Sequence, residues 1–333
     1  MKPIVLIGAF VIASAMACSK KDDGKPAPVE KNVYVAGYEY GNNFGVAKLW
    51  KNGVGTDLTD GKLNAKAIDV FFNNNDLYVV GSQLEPNNIN VAKLWKNGVV
   101  SNVSGSKNYT DVTSVFVNNN NVYVTGTEEI NGVTVATVWK NGNANNLTTT
   151  NIIGGANDVF CSGNNEYVAG FIRKGNVSVA RIWKNGSSTD LSNGSFSASV
   201  QAIFVRDNDV YAVGREATAS EFSIAKLWKN GVATVLSKKE SAAMAIFVSD
   251  NTVYVTGFEG EAAMLWTNGV PTKLSKDGND AFGYSVFVDG TDVYVTGYEN
   301  IAGTQKAVIW KNGVSTILSN SPNSSRGLKV FVK

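Results

Sequence analysis

The sequence predicts an all-β chain folded as a seven-bladed β-propeller, with four antiparallel strands in each blade. Three observations carry this expectation. A motif close to AKLWKNG recurs around each of the seven tryptophans, Trp50, Trp95, Trp139, Trp183, Trp228, Trp266 and Trp310. Successive copies lie 45, 44, 44, 45, 38 and 44 residues apart, and a period near 44 with short strand-like runs is the mark of a propeller blade. The two ends of the repeat region complement one another. The chain enters its first unit at Val33, Tyr34 and Val35, which match a second strand, and finishes at Val330, Phe331 and Val332, which match a first strand. Pairing the last strand with the first three closes the ring and removes its open edges. An open solenoid is the alternative, and it leaves both fragments unpaired.

Residues 1–17 read as an export signal. Lys2 precedes an apolar run over 4–17, shorter than the roughly 20 residues that a membrane-spanning helix needs. The run ends in Ala15, Met16, Ala17 and Cys18. Residues 18–31 follow as a tether, charged and proline-bearing, with too little apolar surface to fold. Residues 32–333 form the propeller.

Within a unit, the first strand is a triplet such as Val115, Phe116 and Val117, and the second is a run such as Val122, Tyr123 and Val124 across an asparagine turn. Aromatic and β-branched residues on both sides of such a turn spell a hairpin. From Phe71–Tyr78 through Phe287–Tyr294 the spacing is always seven residues, so the turn is structural. Next come a glycine (Gly37, Gly81, Gly126, Gly170, Gly214, Gly257, Gly297), taken as the end of the second strand, and a variable loop. The tryptophan strand then meets Asn-Gly, which suits a type I′ turn, before a fourth strand such as residues 314–318. The inner strands show little alternation, as expected when neighbouring blades cover both faces.

Composition narrows the chemistry. The chain has no histidine, the commonest general base and transition-metal ligand. A formal charge of +2, or +1 once residues 1–17 and their single lysine are removed, carries no nucleic-acid footprint. Cys161, beyond Cys18 the only cysteine, stands at a valine position and is expected in the core without a disulfide partner. The asparagine- and aspartate-rich hairpins lack the ligand spacing of a calcium loop, so no cofactor or metal is expected.

Two resemblances extend this reading. The run Ala15 to Cys18 resembles a bacterial lipobox, with alanine where the family usually has leucine. It implies lipidation at Cys18, an ordinary secreted protein being the alternative. The cluster CSKKDD from Cys18 to Asp23 is similar to the surface-export signal of Bacteroidetes lipoproteins, and Ser19 is not the inner-membrane retention aspartate. Together they imply a lipid anchor at the outer membrane, and the chain is expected to be a monomer. The units themselves, as in residues 225–254 with KLWKNG, Leu236, Ser237 and AIFV, resemble extracellular HAF repeats. They depart at the name-giving histidine and at a family glycine replaced by Thr59 or Ser192. That resemblance implies an exported propeller and transfers no catalytic motif.

A site is expected on the face of second-to-third loops and blade connections, where nearly all length variation falls. Two positions after the glycine stand Glu39, Glu128, Glu216, Glu259 and Glu299, with Gln83 and Ile172 in the other blades, a candidate acid ring. Before the phenylalanine triplets come Asp69, Ser114, Asp158, Ala202, Ala245, Ser285 and Lys329, expected near the axial channel. The ring is unequal at one place. The distance from tryptophan to the next phenylalanine is 19 residues at Trp228 but 21 elsewhere, and from Gly257 to Trp266 it is nine rather than 13 or 14. A notch is expected there, with ligand entry over Glu259, Glu261 and Tyr284 beside a wall of Glu216 and Arg215. The function expected is binding of an unidentified extracellular glycan, peptide or protein; the alternative is a glycan-cleaving hydrolase or lyase using carboxylates at the channel mouth.

Overall fold

The computed structural model describes residues 31–41, 43–103 and 108–333. The export signal, Cys18 and all of the tether but Lys31 lie outside the described residues. Among the described residues, 28 strands, β1 to β28 in chain order, form seven four-stranded antiparallel sheets, and there is no helix. Blade one is the composite the sequence predicts. In it β28 (Ser325–Val332) pairs with β1 (Val33–Tyr40), followed by β2 (Gly45–Lys51) and β3 (Val54–Asp57). Val33 sits opposite Val332 and Tyr34 opposite Phe331, and Asn32 and Lys333 exchange backbone hydrogen bonds at 2.7 and 2.9 Å. The remaining blades follow in order, opening on the inner strands β4 (Ala65–Asn73), β8 (Thr110–Asn118), β12 (Gly154–Ser162), β16 (Ala198–Arg206), β20 (Ser241–Ser249) and β24 (Ala281–Asp289).

The core lies between blades. Each tryptophan is at most 2% exposed and packs against its neighbour: Trp95 of blade two meets Tyr34, Ala36 and Ala47 of blade one. At the closing interface Trp50 meets Tyr294, Ala307 and Leu318 of blade seven. Burying roughly 150–250 Å² of indole contributes about 4–6 kcal/mol before entropy, at ~25 cal/mol per Å². Seven such wedges hold the ring, and small residues such as Ala36 and Ala47, both fully buried, make room for them. Fourth strands are only four residues long and almost wholly exposed, which keeps the outer edges poor templates for pairing with other chains.

The turn face is a repeated device. Every Asn-Gly pair has positive φ at both residues, as in Asn52 (50°) and Gly53 (81°), the backbone of a type I′ turn. The asparagine also ties the blade together. Its side-chain oxygen accepts the N–H that opens the second strand, Val33 to Asn52, Val122 to Asn141 and Val293 to Asn312, each at 2.8 Å. In six blades a lysine precedes the turn, with Thr267 in the remaining one, and each lysine lies over the tyrosine of the second strand, from Lys140 at 5.1 Å above Tyr123 to Lys51 at 5.6 Å above Tyr34. These lysines are blade staples as well as a charged rim.

One expectation is corrected. The glycines do not end the second strands: β1 runs through Gly37 to Tyr40, and the second strand of blade three, β9 (Asn121–Ile130), runs through Gly126. Each inner strand carries a β-bulge opposite the glycine. In β8 the bulge lies between Val112, paired with Gly126, and Ser114, paired with Thr125. The bulge presses a carbonyl onto the partner strand, so a Cβ built on Gly126 would stand 1.9 Å from the oxygen of Asp111, and one on Gly297 1.7 Å from that of Phe282. Glycine is required there by close approach.

Candidate functional site

Three layers stack along the axis, and the alternation of the inner strands sets them. At the turn side, Phe71, Phe116, Phe160, Phe204, Phe247, Phe287 and Phe331 form a closed belt, with neighbouring ring centroids 4.6 to 5.4 Å apart. The constant phenylalanine of the repeat is therefore the floor of the channel. Above it lies an axial cavity of about 130 Å³ whose walls include Ser114, Asp158, Ser285 and Lys329.

The polar layer sits where the sequence places it. The Ser114 hydroxyl is 2.7 Å from Asp69 Oδ2 and 2.7 Å from Asp158 Oδ1, and Lys329 Nζ is 3.6 Å from Asp69 Oδ1. Backbone N–H groups complete the carboxylates. Val70 and Val115 donate to Asp69, Val159 and Ile203 to Asp158. One hydroxyl proton cannot satisfy two carboxylates. Burial pushes the Asp158 carboxyl up, against the pull of Lys329 and its hydrogen bonds. The order along the layer is Asp158, Ser114, Asp69 and Lys329. Burial opposes the charge on Lys329, but Asp69 and Asp158 prevail and raise it.

The mouth is built by the bulges. The extra residue in each inner strand is Ile68, Thr113, Asn157, Gln201, Met244, Tyr284 or Leu328, and all seven line a vestibule of about 220 Å³ above the polar layer. No two are alike. All but Tyr284 escaped the sequence reading, although one signal marks them: a position of fixed spacing, one residue before the Asp69 equivalent, where the side chain differs in every blade while the residue before it stays small or apolar.

Beside the vestibule a larger cavity of about 550 Å³ spans blades one to three and reaches Tyr284 of blade seven. Tyr38, Tyr109, Lys66, Asp111 and Arg326 stand in its wall. Arg326 is held by Gln305, whose side-chain oxygen accepts its Nε at 2.8 Å, and it reaches Tyr284 Oη at 3.3 Å. Burial pushes Tyr284 and Tyr38 up, with Arg326 opposing in both. Burial likewise pushes Asp111 up, against hydrogen bonds from Ser82 and Asn90.

The glutamates expected as an acid ring are each bound to protein groups. Glu39 takes Lys48 at 3.2 Å and the Ser319 hydroxyl; Glu216 takes Lys226; Glu128 takes Asn108 at 3.0 Å. Glu299 takes Asn279 at 3.0 Å. Glu259 takes Ser237 at 2.6 Å and Lys239 at 2.7 Å, whose charge and hydrogen bonds hold it below the usual carboxylate range. The donors on Glu39, Glu128, Glu259 and Glu299 come largely from the connection entering the same blade, so these side chains fasten connection to sheet. Glu261 is exposed, Arg215 lies at a separate cavity of about 340 Å³, and Tyr284 is at the mouth. No single cavity among those described gathers Glu259, Tyr284 and Arg215.

Cys161 is buried and unpaired, and burial pushes its thiol up to about 12, as expected of an inert core residue. The other departures also have a structural use. The Thr59 and Ser192 hydroxyls accept the backbone N–H groups of Ala47 and Ala180.

No family model matches the chain, and no curated protein matches it. Solved structures do. The chain is similar to a puromycin-hydrolysing peptidase of Mycobacterium tuberculosis at 11% identity and a TM-score of 0.52, over 84% of this chain and 51% of that one. It is also similar to TolB from Acinetobacter baumannii (9%, TM-score 0.47, 74% and 62%) and to Kuenenia stuttgartiensis hydrazine synthase (8%, TM-score 0.48, 92% and 47%). The chain thus spans about half the length of the peptidase. At such identities the likeness concerns the fold alone, and the fold is that of a seven-bladed β-propeller closed by its last strand.

Proposed function

We propose that the protein is an exported, lipid-anchored propeller of the HAF-repeat kind that binds an extracellular ligand at the loop-side mouth of its channel. One observation carries the site: seven different side chains occupy the equivalent bulge position around one vestibule, while the turn face repeats the same residues blade after blade. Variation displayed on a constant scaffold is what recognition needs. The anchor rests on the residues around Cys18. The notch over Glu259 and Glu261 is a second approach to the same face.

The alternative, glycan cleavage, draws on Asp69 and Asp158 beneath the vestibule. Both are occupied by backbone N–H groups and a shared serine, an arrangement suited to fixing a wall. The test is an array of glycans and peptides probed with the full-length protein, followed by a product assay on each hit. Retention of an unaltered ligand supports the binding reading. Conversion of a hit to shorter saccharides supports the alternative, and an array without hits above a glycan-free control contradicts the binding reading. The anchor is tested separately: Cys18→Ser should move the protein out of the membrane fraction or stall its processing, and an unchanged membrane fraction contradicts lipidation.

A further inference from the structure

The cavity beside the vestibule has a chemistry of its own. Its volume, about 550 Å³, falls within the ~300–1,000 Å³ usual for ligand sites. Tyr38 pairs with Arg326 across the β1–β28 ladder, Lys66 Nζ lies 5.1 Å from the Tyr38 ring, and the Arg326 guanidinium lies 4.8 Å from the Tyr298 ring, so each cation rests against an aromatic. Neither cation has an ion-pair partner among the described residues, whereas Lys48, Lys93 and Lys226 on the same face are all paired with glutamate. Arg326 is pre-aimed by Gln305 and Tyr284, and Tyr109, 44% exposed, adds a second aromatic surface.

Resting on the binding reading above, we infer that this cavity recognises a carboxylated sugar, with Arg326 and Lys66 taking the carboxylate and the tyrosines taking the sugar ring. A planar guanidinium matches a carboxylate with two parallel hydrogen bonds. Tyrosine offers an apolar face to the C–H side of a pyranose and a hydroxyl to its rim. Asp111, whose Oδ1 accepts from Asn90, supplies an acceptor for sugar hydroxyls through its carboxyl. An acidic peptide satisfies the cations too, but ordering its backbone costs ~1–2 kcal/mol per residue, and a pyranose is rigid beforehand.

The experiment is calorimetric titration of the full-length protein with uronic-acid and sialic-acid oligosaccharides, their methyl esters, the neutral parent sugars and a glutamate peptide. At least one acid should bind at least tenfold more tightly than its ester and its neutral parent. Arg326→Gln and Lys66→Gln should each erase that preference and Arg326→Lys restore part of it, with melting temperatures confirming that every variant folds. Equal binding of acid and ester, binding of the peptide alone, or no binding of any acid overturns the inference. A neutral sugar or peptide captured at the mouth leaves the binding reading standing; only the empty array contradicts both.

Discussion

Asp69 and Asp158 look equivalent in the sequence and share the Ser114 hydroxyl, yet only Asp69 has Lys329 within ion-pair distance. Burial opposes the charged form of Asp158 and asparagine carries no charge, so Asp158→Asn should be more stable than wild type at neutral pH. Asp69→Asn removes the charged acceptor of the Val70 and Val115 N–H groups beside a partly exposed Lys329, and should cost about 1–3 kcal/mol. The sign for Asp158 follows from its raised pKa. Its contribution is full below the unfolded value near 3.8 and is lost as pH rises through the folded value. The stability gap between wild type and Asp158→Asn should therefore shift in favour of the variant as pH rises through that window, and a gap independent of pH contradicts a raised Asp158. Thermal melts across pH measure it. Gly126→Ala is the second residue-scale case. With a Cβ 1.9 Å from a backbone oxygen the bulge must shift, and a loss above about 3 kcal/mol is expected. The sequence marked this glycine by its recurrence but gave it the wrong role, because a bulge on the partner strand leaves no local signature.

At the scale of strands, periodicity made nearly all of the architecture legible. The tryptophan spacing located the third strands, Asn-Gly located the turns, and mismatched ends located the closure. Such features are local or repeated, so one chain displays them without a second sequence. The bulge ring and the cavity flanked by Arg326 and Lys66 were not legible, since they join residues about 40 to nearly 300 positions apart. Likewise the glutamates suggested an acid ring because recurrence is visible and their partners on separate connections are not. Removing residues 327–333 tests closure. It strips most of β28, leaves β1 with an open edge and exposes the aromatic belt at Phe71 and Phe287. The truncated protein should aggregate or lose its single cooperative transition in calorimetry, and an intact transition contradicts a closed ring.

For the whole molecule, the account divides labour between two faces. Repeated turns, lysine–tyrosine staples and the phenylalanine belt make one face and the floor; unlike bulge residues make the other face a mouth. Seven interlocking blades keep the mouth rigid, so a ligand there need not order its receptor, which lowers the cost of binding. The most direct measurement compares two triple variants on the same array, Asn157→Ala/Gln201→Ala/Tyr284→Ala at the mouth and Lys96→Ala/Lys140→Ala/Lys184→Ala on the turns. With both variants folded, the mouth changes should weaken capture of the ligand at least tenfold, about 1.4 kcal/mol, and the turn changes should leave it intact; equal losses, or loss from the turn face alone, would contradict the account.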